Sequence, residues 1–364
     1  MKHPYFNYPF AIILLVFTLD KITMIDFVWR NGRTENTPLE NVRDGMDLIW
    51  KDRIKNPSSK KVVVFFGTSR TENLRYLANK NILSSKELTQ IEKENLLNYD
   101  FEMRGIVRAS EILYNYTLLE GLIQSGYRPD VVFFELSPEM FNRNNPFHAS
   151  FQSRDNIFLY SQLLKILSSA EWNWKRNILT AVLFPASHYN FSIIKFLKSS
   201  ISGTDYLTDN FVIPFFLASS SIQEYEPKPE IHEDIIDGEL YQTRILQFSE
   251  YLKNENILRN YEYSTSESKL LDYTIALASS SNIKVVFWRP RLHMYYNQML
   301  KDQGLGKVDL EFADKVKKSG HIYIDMQNIS LNCDYFIDSS HFAPSCAPEI
   351  VSKLLELSST DTSN

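Results

Sequence analysis

The sequence predicts an α/β protein: three layers, α/β/α, around a mostly parallel central sheet. Three observations carry that expectation. Four short runs of β-branched and aromatic residues, bounded by Gly, Pro or Ser, lack polar alternation, as strands buried on both faces require. Helical patterns fall between them, the rhythm of parallel strands joined by crossover helices. The runs also end in polar residues able to do chemistry, at the edge where open parallel sheets bind ligands.

The first apolar segment stands apart from this rhythm. It runs from Tyr8 to Leu19, is interrupted by Asp20 and Lys21, and continues as a mixed pattern to Trp29. Its uninterrupted part is shorter than the ~20 residues of a membrane-spanning helix. Lys2 gives it a weak positive flank, and neither an A-x-A cleavage site nor a lipoprotein cysteine follows. Residues 1–30 therefore read as an uncleaved signal-anchor in the inner membrane, with the rest of the chain extracytoplasmic, in the periplasm. A buried core helix is the competing reading. Residues 31–60, rich in Asn, Arg and Asp, read as a tether.

The core is expected over 61–149 and 261–364. Lys61-Val62-Val63-Val64-Phe65-Phe66 is the first strand, followed by Gly67-Thr68-Ser69 and a helix from about Arg70. Ile112, Tyr116, Leu119 and Ile123 mark one face of a helix that Gly126 ends. Val131 to Leu136 is the second strand, stopped by Ser137-Pro138. After a helix near 266–280, Ile283 to Trp288 is the third strand and His321 to Met326 the fourth. A last helix spans Ala347 to Leu357, with Pro348 in its first turn, where the missing N–H does no harm. Residues 150–260 lack the rhythm, break at Glu226-Pro227-Lys228-Pro229, and read as a helical insertion or cap over the strand ends.

Composition narrows the function classes. Hydrophobic residues at 44% and charged residues at 23% exclude wholesale disorder. With 39 Lys+Arg against 44 Asp+Glu and no basic stripe, no nucleic-acid partner is expected. His148, His188, His232, His293 and His321 lack metal-ligand spacing, so neither a metal nor another cofactor is expected. Cys333 and Cys346 leave a single bridge geometrically open, but spacing alone does not bring two Cα atoms together, and two free thiols are the preferred reading.

The strand ends deliver Thr68, Ser69 and Arg70, then Glu135 and Ser137, then Arg289 and Arg291, and after the fourth strand Asp338-Ser339-Ser340-His341. A serine, an aspartate and a histidine thus converge on one edge. Asp338 stands three residues before His341, close enough in one turn of chain for its carboxylate to accept from Nδ1–H. That leaves Nε2 to take the proton of a serine hydroxyl. Alone, Ser69 reads as a helix cap and Asp338 as a turn residue; together they favour a triad.

Gly67-Thr68-Ser69 after a buried strand resembles the first block of the SGNH (GDSL-like) hydrolase superfamily, and Asp338-Ser339-Ser340-His341 resembles its last block, D-x-x-H. The chain order matches as well. The membrane-anchored proteins of teichoic-acid D-alanylation and alginate O-acetylation are closer still, and Phe134 to Phe141 is similar to a strand end in spirochaete members of that group. The resemblance covers roughly 60–145 and 265–357. It implies an SGNH-type fold, with Ser69 as nucleophile, His341 as general base and Asp338 as its orienter, in an esterase or O-acyltransferase. The substrates would be an acyl donor and an envelope glycan or lipid acceptor, with room for a membrane-bound partner that supplies acyl groups. Ser69 N–H and Gly105 are the oxyanion candidates. Arg70, Ser137, Arg289 and Arg291 are the substrate-binding candidates. The sequence departs from the family in its third block, where Glu135-Leu136-Ser137-Pro138 has no asparagine. That puts one oxyanion donor in doubt and leaves open a non-catalytic binding or assembly module.

Overall fold

The computed structural model describes residues 7–23, 25, 28, 31–32, 50–77, 79–106, 112–146, 167–168, 172–184, 191–202 and 239–360. The chain forms two compact units, Met1–Met46 with Ala149–Leu217, and Asp47–His148 with Ala218–Asn364.

The larger unit is an α/β fold on a five-stranded sheet whose strands all pair in parallel: β1 (Lys61–Thr68), β2 (Tyr99–Ile106), β3 (Val131–Glu135), β4 (Val285–Arg289) and β5 (Ile322–Asp325). The strand order is β2-β1-β3-β4-β5. In this order the winding reverses between β1 and β3, and that reversal opens the crevice where such sheets bind ligands. β1, β3 and β4 are buried almost end to end, as their apolar runs require.

The described helices, in chain order, are α1 (Asn7–Ile22), α2 (Ser69–Glu72), α3 (Asn79–Ser84), α4 (Gln90–Leu97), α5 (Ile112–Ser125), α6 (Trp172–Leu183), α7 (Ile193–Ser202), α8 (Glu239–Asn254), α9 (Thr265–Ser280), α10 (Met294–Asp302), α11 (Gly306–Lys318) and α12 (Ala347–Thr360). Alternate strand residues Val63, Phe65, Phe133, Val286, Trp288 and Ile324 point to one face and pack with Leu96 of α4 and Ile350, Val351 and Leu354 of α12. Phe65 stacks on Phe133 with ring centres 4.9 Å apart. The intervening residues face the other way, where Phe134 meets Phe287 at 5.4 Å. The arrangement is compatible with the three-layer form.

Four expectations differ from the structure. The sheet has a fifth strand, β2, at the edge beside β1. The end of the expected tether belongs to the folded unit: Trp50 is buried against α5, and Arg53 Nε donates to Glu102 Oε1 at 3.2 Å. Cys333 and Cys346 form a disulfide, with Cα atoms 5.2 Å apart, rather than two free thiols. The boundary of the expected insertion also differs: α8 lies within 150–260 but falls in the α/β unit. The described residues of 150–260 add no strand to the sheet.

In the smaller unit, α1 carries a nearly unbroken apolar sequence, with Tyr8, Phe10, Ile12, Ile13, Leu14, Leu15 and Val16 all exposed. None of the described helices is long and apolar enough to cross a membrane. The end of α1 meets the end of α6: Lys21 Nζ donates to the Leu183 carbonyl at 2.6 Å, and Phe17 packs edge-on to Phe184.

Candidate active site

Ser69 is placed by the abrupt change from β1 to α2. A Cβ on Gly67 would collide with the Thr71 hydroxyl and the Glu135 carboxylate, so only glycine lets the chain pass here. Thr68 then caps α2, its hydroxyl accepting from the Arg70 N–H at 3.3 Å. Ser69 follows as the first helical residue, half-buried at the carboxyl edge.

His341 arrives from the loop after β5. Its Nε2 lies 2.7 Å from Ser69 Oγ, across 272 residues of sequence. Its Nδ1 lies 2.9 Å from both carboxylate oxygens of Asp338. The same carboxylate holds its own turn, with Oδ1 accepting from the N–H groups of Ser340 at 2.8 Å and His341 at 3.0 Å. Asp338 therefore holds both its own turn and the His341 imidazole. Burial alone would raise its pKa, but the bond from His341, the imidazole's charge and the two N–H donors hold it below the usual aspartate value.

The loop is stapled at its base. The Cys333–Cys346 bridge spans 13 positions and closes the segment that carries both Asp338 and His341. Within it, Ile337 N–H donates to the His341 carbonyl at 2.9 Å, and Ala343 N–H to the Tyr335 carbonyl at 2.8 Å. Outside it, Glu349 accepts from the N–H groups of Asn332 and Cys333. Asn73, just past α2, donates to the Phe342 carbonyl at 3.2 Å and ties the Ser69 segment to this loop.

A family model described as "Protein of unknown function (DUF1574)" matches residues 1–357. The chain belongs to the DUF1574 family. No curated protein matches it.

In this DUF1574 member, two buried carboxylates underlie Ser69. Glu135, at the end of β3, accepts from Thr68 N–H at 2.7 Å, Thr68 Oγ1 at 2.6 Å and Thr71 Oγ1 at 2.7 Å. Glu139 accepts from Arg70 Nη2 at 2.6 Å and from the Tyr296 hydroxyl at 2.7 Å. Burial pushes the Glu139 pKa up, but Arg70, a backbone N–H and Tyr296 reverse this and leave it below the usual glutamate value. Burial also opposes the charge on Arg70, and Glu139, with Glu135 behind it, outweighs that and raises its pKa. The pair therefore stays ionised in the interior.

The four substrate-binding candidates do not line an open site. Arg70 is 4% exposed; besides Glu139 it holds the Ser340 carbonyl through Nε at 3.2 Å. It positions the histidine loop against α2 and is not available to a substrate. Arg289 is buried against Asp309 at 3.0 Å and Asp325 at 3.6 Å. Arg291 pairs with Asp334 and donates to the carbonyls of Met326, Gln327 and Ile329. Ser137 is fully buried at the turn into Pro138–Phe141. An arginine at a strand end looks the same in sequence whether it faces solvent or a carboxylate, and these carboxylates come from distant segments.

Gly105 lies in β2, in register with Gly67 one strand away, at the same sheet edge. Sequence reasoning missed Ser340, whose Oγ lies 2.9 Å from His341 Nδ1 and 3.2 Å from Asp338 Oδ1. Its place inside Asp-x-x-His was the available signal. Phe248 of α8 was also missed; its ring centre is 6.4 Å from the imidazole, which puts an apolar wall beside His341.

Proposed function

We propose that this protein is a serine-dependent acyl-transfer enzyme of SGNH type, anchored to the membrane by α1, acting outside the cytoplasm on a cell-envelope glycan or lipid. One observation carries the proposal: Ser69 Oγ at 2.7 Å from His341 Nε2, with Asp338 on the opposite ring nitrogen. In the forward half-reaction His341 takes the Ser69 proton as Oγ attacks the acyl carbonyl. The protonated imidazole then gives that proton to the leaving group, and an ester on Ser69 remains. An acceptor hydroxyl attacks this ester in the second half, its proton going to Nε2 and then back to Ser69. In an esterase water takes the acceptor's place. The N–H of Ser69 and of Gly105 are the candidates for holding the developing oxyanion. The disulfide supports an extracytoplasmic setting, since such bridges persist in oxidising compartments.

One observation favours the rival reading, a binding or assembly module on the same fold. The β3 end reads Glu135-Leu136-Ser137-Pro138, without the asparagine that the superfamily uses as an oxyanion donor. A fluorophosphonate probe on the full chain decides between them. An active site labels at Ser69, and Ser69→Ala or His341→Ala lowers the labelling rate roughly 10⁴-fold or more with the fold intact. A well-folded wild type that does not label overturns the enzymatic reading.

A further inference from the structure

We propose that α6 and α7, in the same compact unit as α1, form a surface that lies on a bilayer containing anionic lipid. In α7 the expected exposure is inverted. Ile193, Ile194, Leu197 and Ile201 are 68%, 68%, 53% and 87% exposed, while Ser199 is 7% exposed. At about 100° per residue, the four apolar residues fall within an arc of about 100°, and Ser199 lies almost opposite its centre. The helix therefore rests on its unit through a small polar residue and holds its apolar stripe outward. Lys198, exposed, flanks the stripe, and Lys195, half-buried, lies further round, toward the Ser199 side.

A second helix repeats the pattern. Trp172, Leu179 and Leu183 of α6 are 72%, 40% and 45% exposed. Their spacing puts them within about 40° of one another on one side of the helix, with the exposed Arg176 at the margin of the stripe.

Charge selects the occupant. From Trp172 to Ser202 the sequence holds Lys175, Arg176, Lys195 and Lys198 and no Asp or Glu, in a chain whose net charge is −5. An apolar stripe edged by lysine and arginine suits a membrane interface: the side chains enter the acyl boundary and the cations meet headgroup phosphates. The α6 stripe also ends against α1, since Lys21 and Phe17 meet the α6 end at Leu183 and Phe184. The inference rests on the reading of α1 as a membrane anchor for bringing the unit to a bilayer, and it is independent of the acyl chemistry.

The test uses the full chain. Both cysteines are in the disulfide, so Leu197→Cys provides a single thiol for an environment-sensitive fluorophore, and Ser359→Cys in α12 serves as the control. With vesicles of phosphatidylcholine and phosphatidylglycerol, the probe at 197 should shift to the blue and be quenched by bromine-labelled acyl chains, while the probe at 359 should not. Arg176→Glu with Lys198→Glu on the labelled background should lower the quenched fraction roughly tenfold. Resistance to alkaline extraction reports α1 separately. Protein that resists extraction while the probe at 197 stays unquenched leaves the anchor standing and overturns this proposal. So does equal quenching in pure phosphatidylcholine, and so does a lipid-independent shift that grows with protein concentration, which would assign the stripe to a second copy of the chain.

Discussion

The carboxyl rim of the sheet buries Arg70, Glu135, Glu139 and Arg289 almost completely, whereas the amino rim arranges Lys60, Lys61, Glu92, Lys353 and Glu356 around an open cleft of about 900 Å³. Both rims are charged, but they use charge differently. At the amino rim Lys353 meets Glu356 at 2.7 Å with both side chains well hydrated. Such pairs contribute little, a median of about 0–1 kcal/mol, because water already solvates each partner. At the carboxyl rim water is excluded, so every ion must be matched by a partner or a donor. The buried matching holds Ser69 and His341 at 2.7 Å although they arrive from opposite ends of the unit. Substitutions should therefore be costly on one rim and mild on the other.

The largest stability loss is expected from Glu139→Gln. It removes the nearer of the two carboxylates that Arg70 faces and leaves the buried guanidinium with only Glu135 at 3.9 Å; breaking a buried pair in this way typically costs about 3–5 kcal/mol. Urea denaturation should show the midpoint falling with little change in slope. A loss below about 1 kcal/mol would mean that water reaches Arg70 and that the contrast between the rims is not one of solvation. Opening the disulfide with Cys333→Ser and Cys346→Ser should rank next, at about 2–4 kcal/mol. Because that bridge closes the segment holding Asp338 and His341, the fluorophosphonate labelling rate of the residual folded protein should fall as well. Unchanged labelling would show that the turn around Asp338 Oδ1 holds the histidine unaided.

What the sequence made legible follows the same division. β1, β3 and β4 could be read because their apolar runs are set by burial, and half-buried β5 because Ile322, Tyr323 and Ile324 keep a short apolar run. β2 was missed because Asp100, Glu102 and Arg104 interrupt Tyr-Asp-Phe-Glu-Met-Arg-Gly-Ile, and a charged edge strand looks like a loop. The contact among Ser69, Asp338 and His341 could be anticipated because local spacing and strand-end position constrain where they lie. Arg70 was misassigned because its partners Glu139 and Tyr296 lie 69 and 226 positions away, and only tertiary structure shows that it faces inward. The bridge was missed for a similar reason: it depends on the Cα approach that the folded hairpin creates.

Glu267 sharpens the comparison through pH. It lies fully buried at the start of α9, where burial pushes its pKa up to about 8, against a bond from Ile112 N–H that lowers it. Between about pH 4.3, where the unfolded carboxyl ionises, and about 8, the folded state keeps a proton that the unfolded chain has released. Stability should therefore decline as pH rises through that window, by up to about 1.4 kcal/mol per unit. Glu267→Gln removes this titration, so the difference in stability between variant and wild type should itself slope with pH, in the variant's favour at the alkaline end. A pH-independent difference would show that Glu267 is already ionised in the folded protein.

The smallest effect is expected beside the amino-rim cleft, at the cap of α4. The Thr89 hydroxyl accepts from Glu92 N–H at 3.3 Å, and the Glu92 carboxylate accepts from Thr89 N–H at 2.8 Å and from its hydroxyl at 2.7 Å. These bonds hold the Glu92 pKa below the usual glutamate value, the backbone bond most strongly. A group with a depressed folded pKa contributes stability that is present above its unfolded value and lost as pH falls through the folded one. Thr89→Ala should therefore cost about 1 kcal/mol at neutral pH, the usual worth of such a cap, and less once Glu92 is protonated. Comparing denaturation midpoints at neutral and acid pH measures both parts. A penalty as large as that of Glu139→Gln would contradict the contrast between the rims, because it would place a solvated cap on the energetic scale of a buried ion pair.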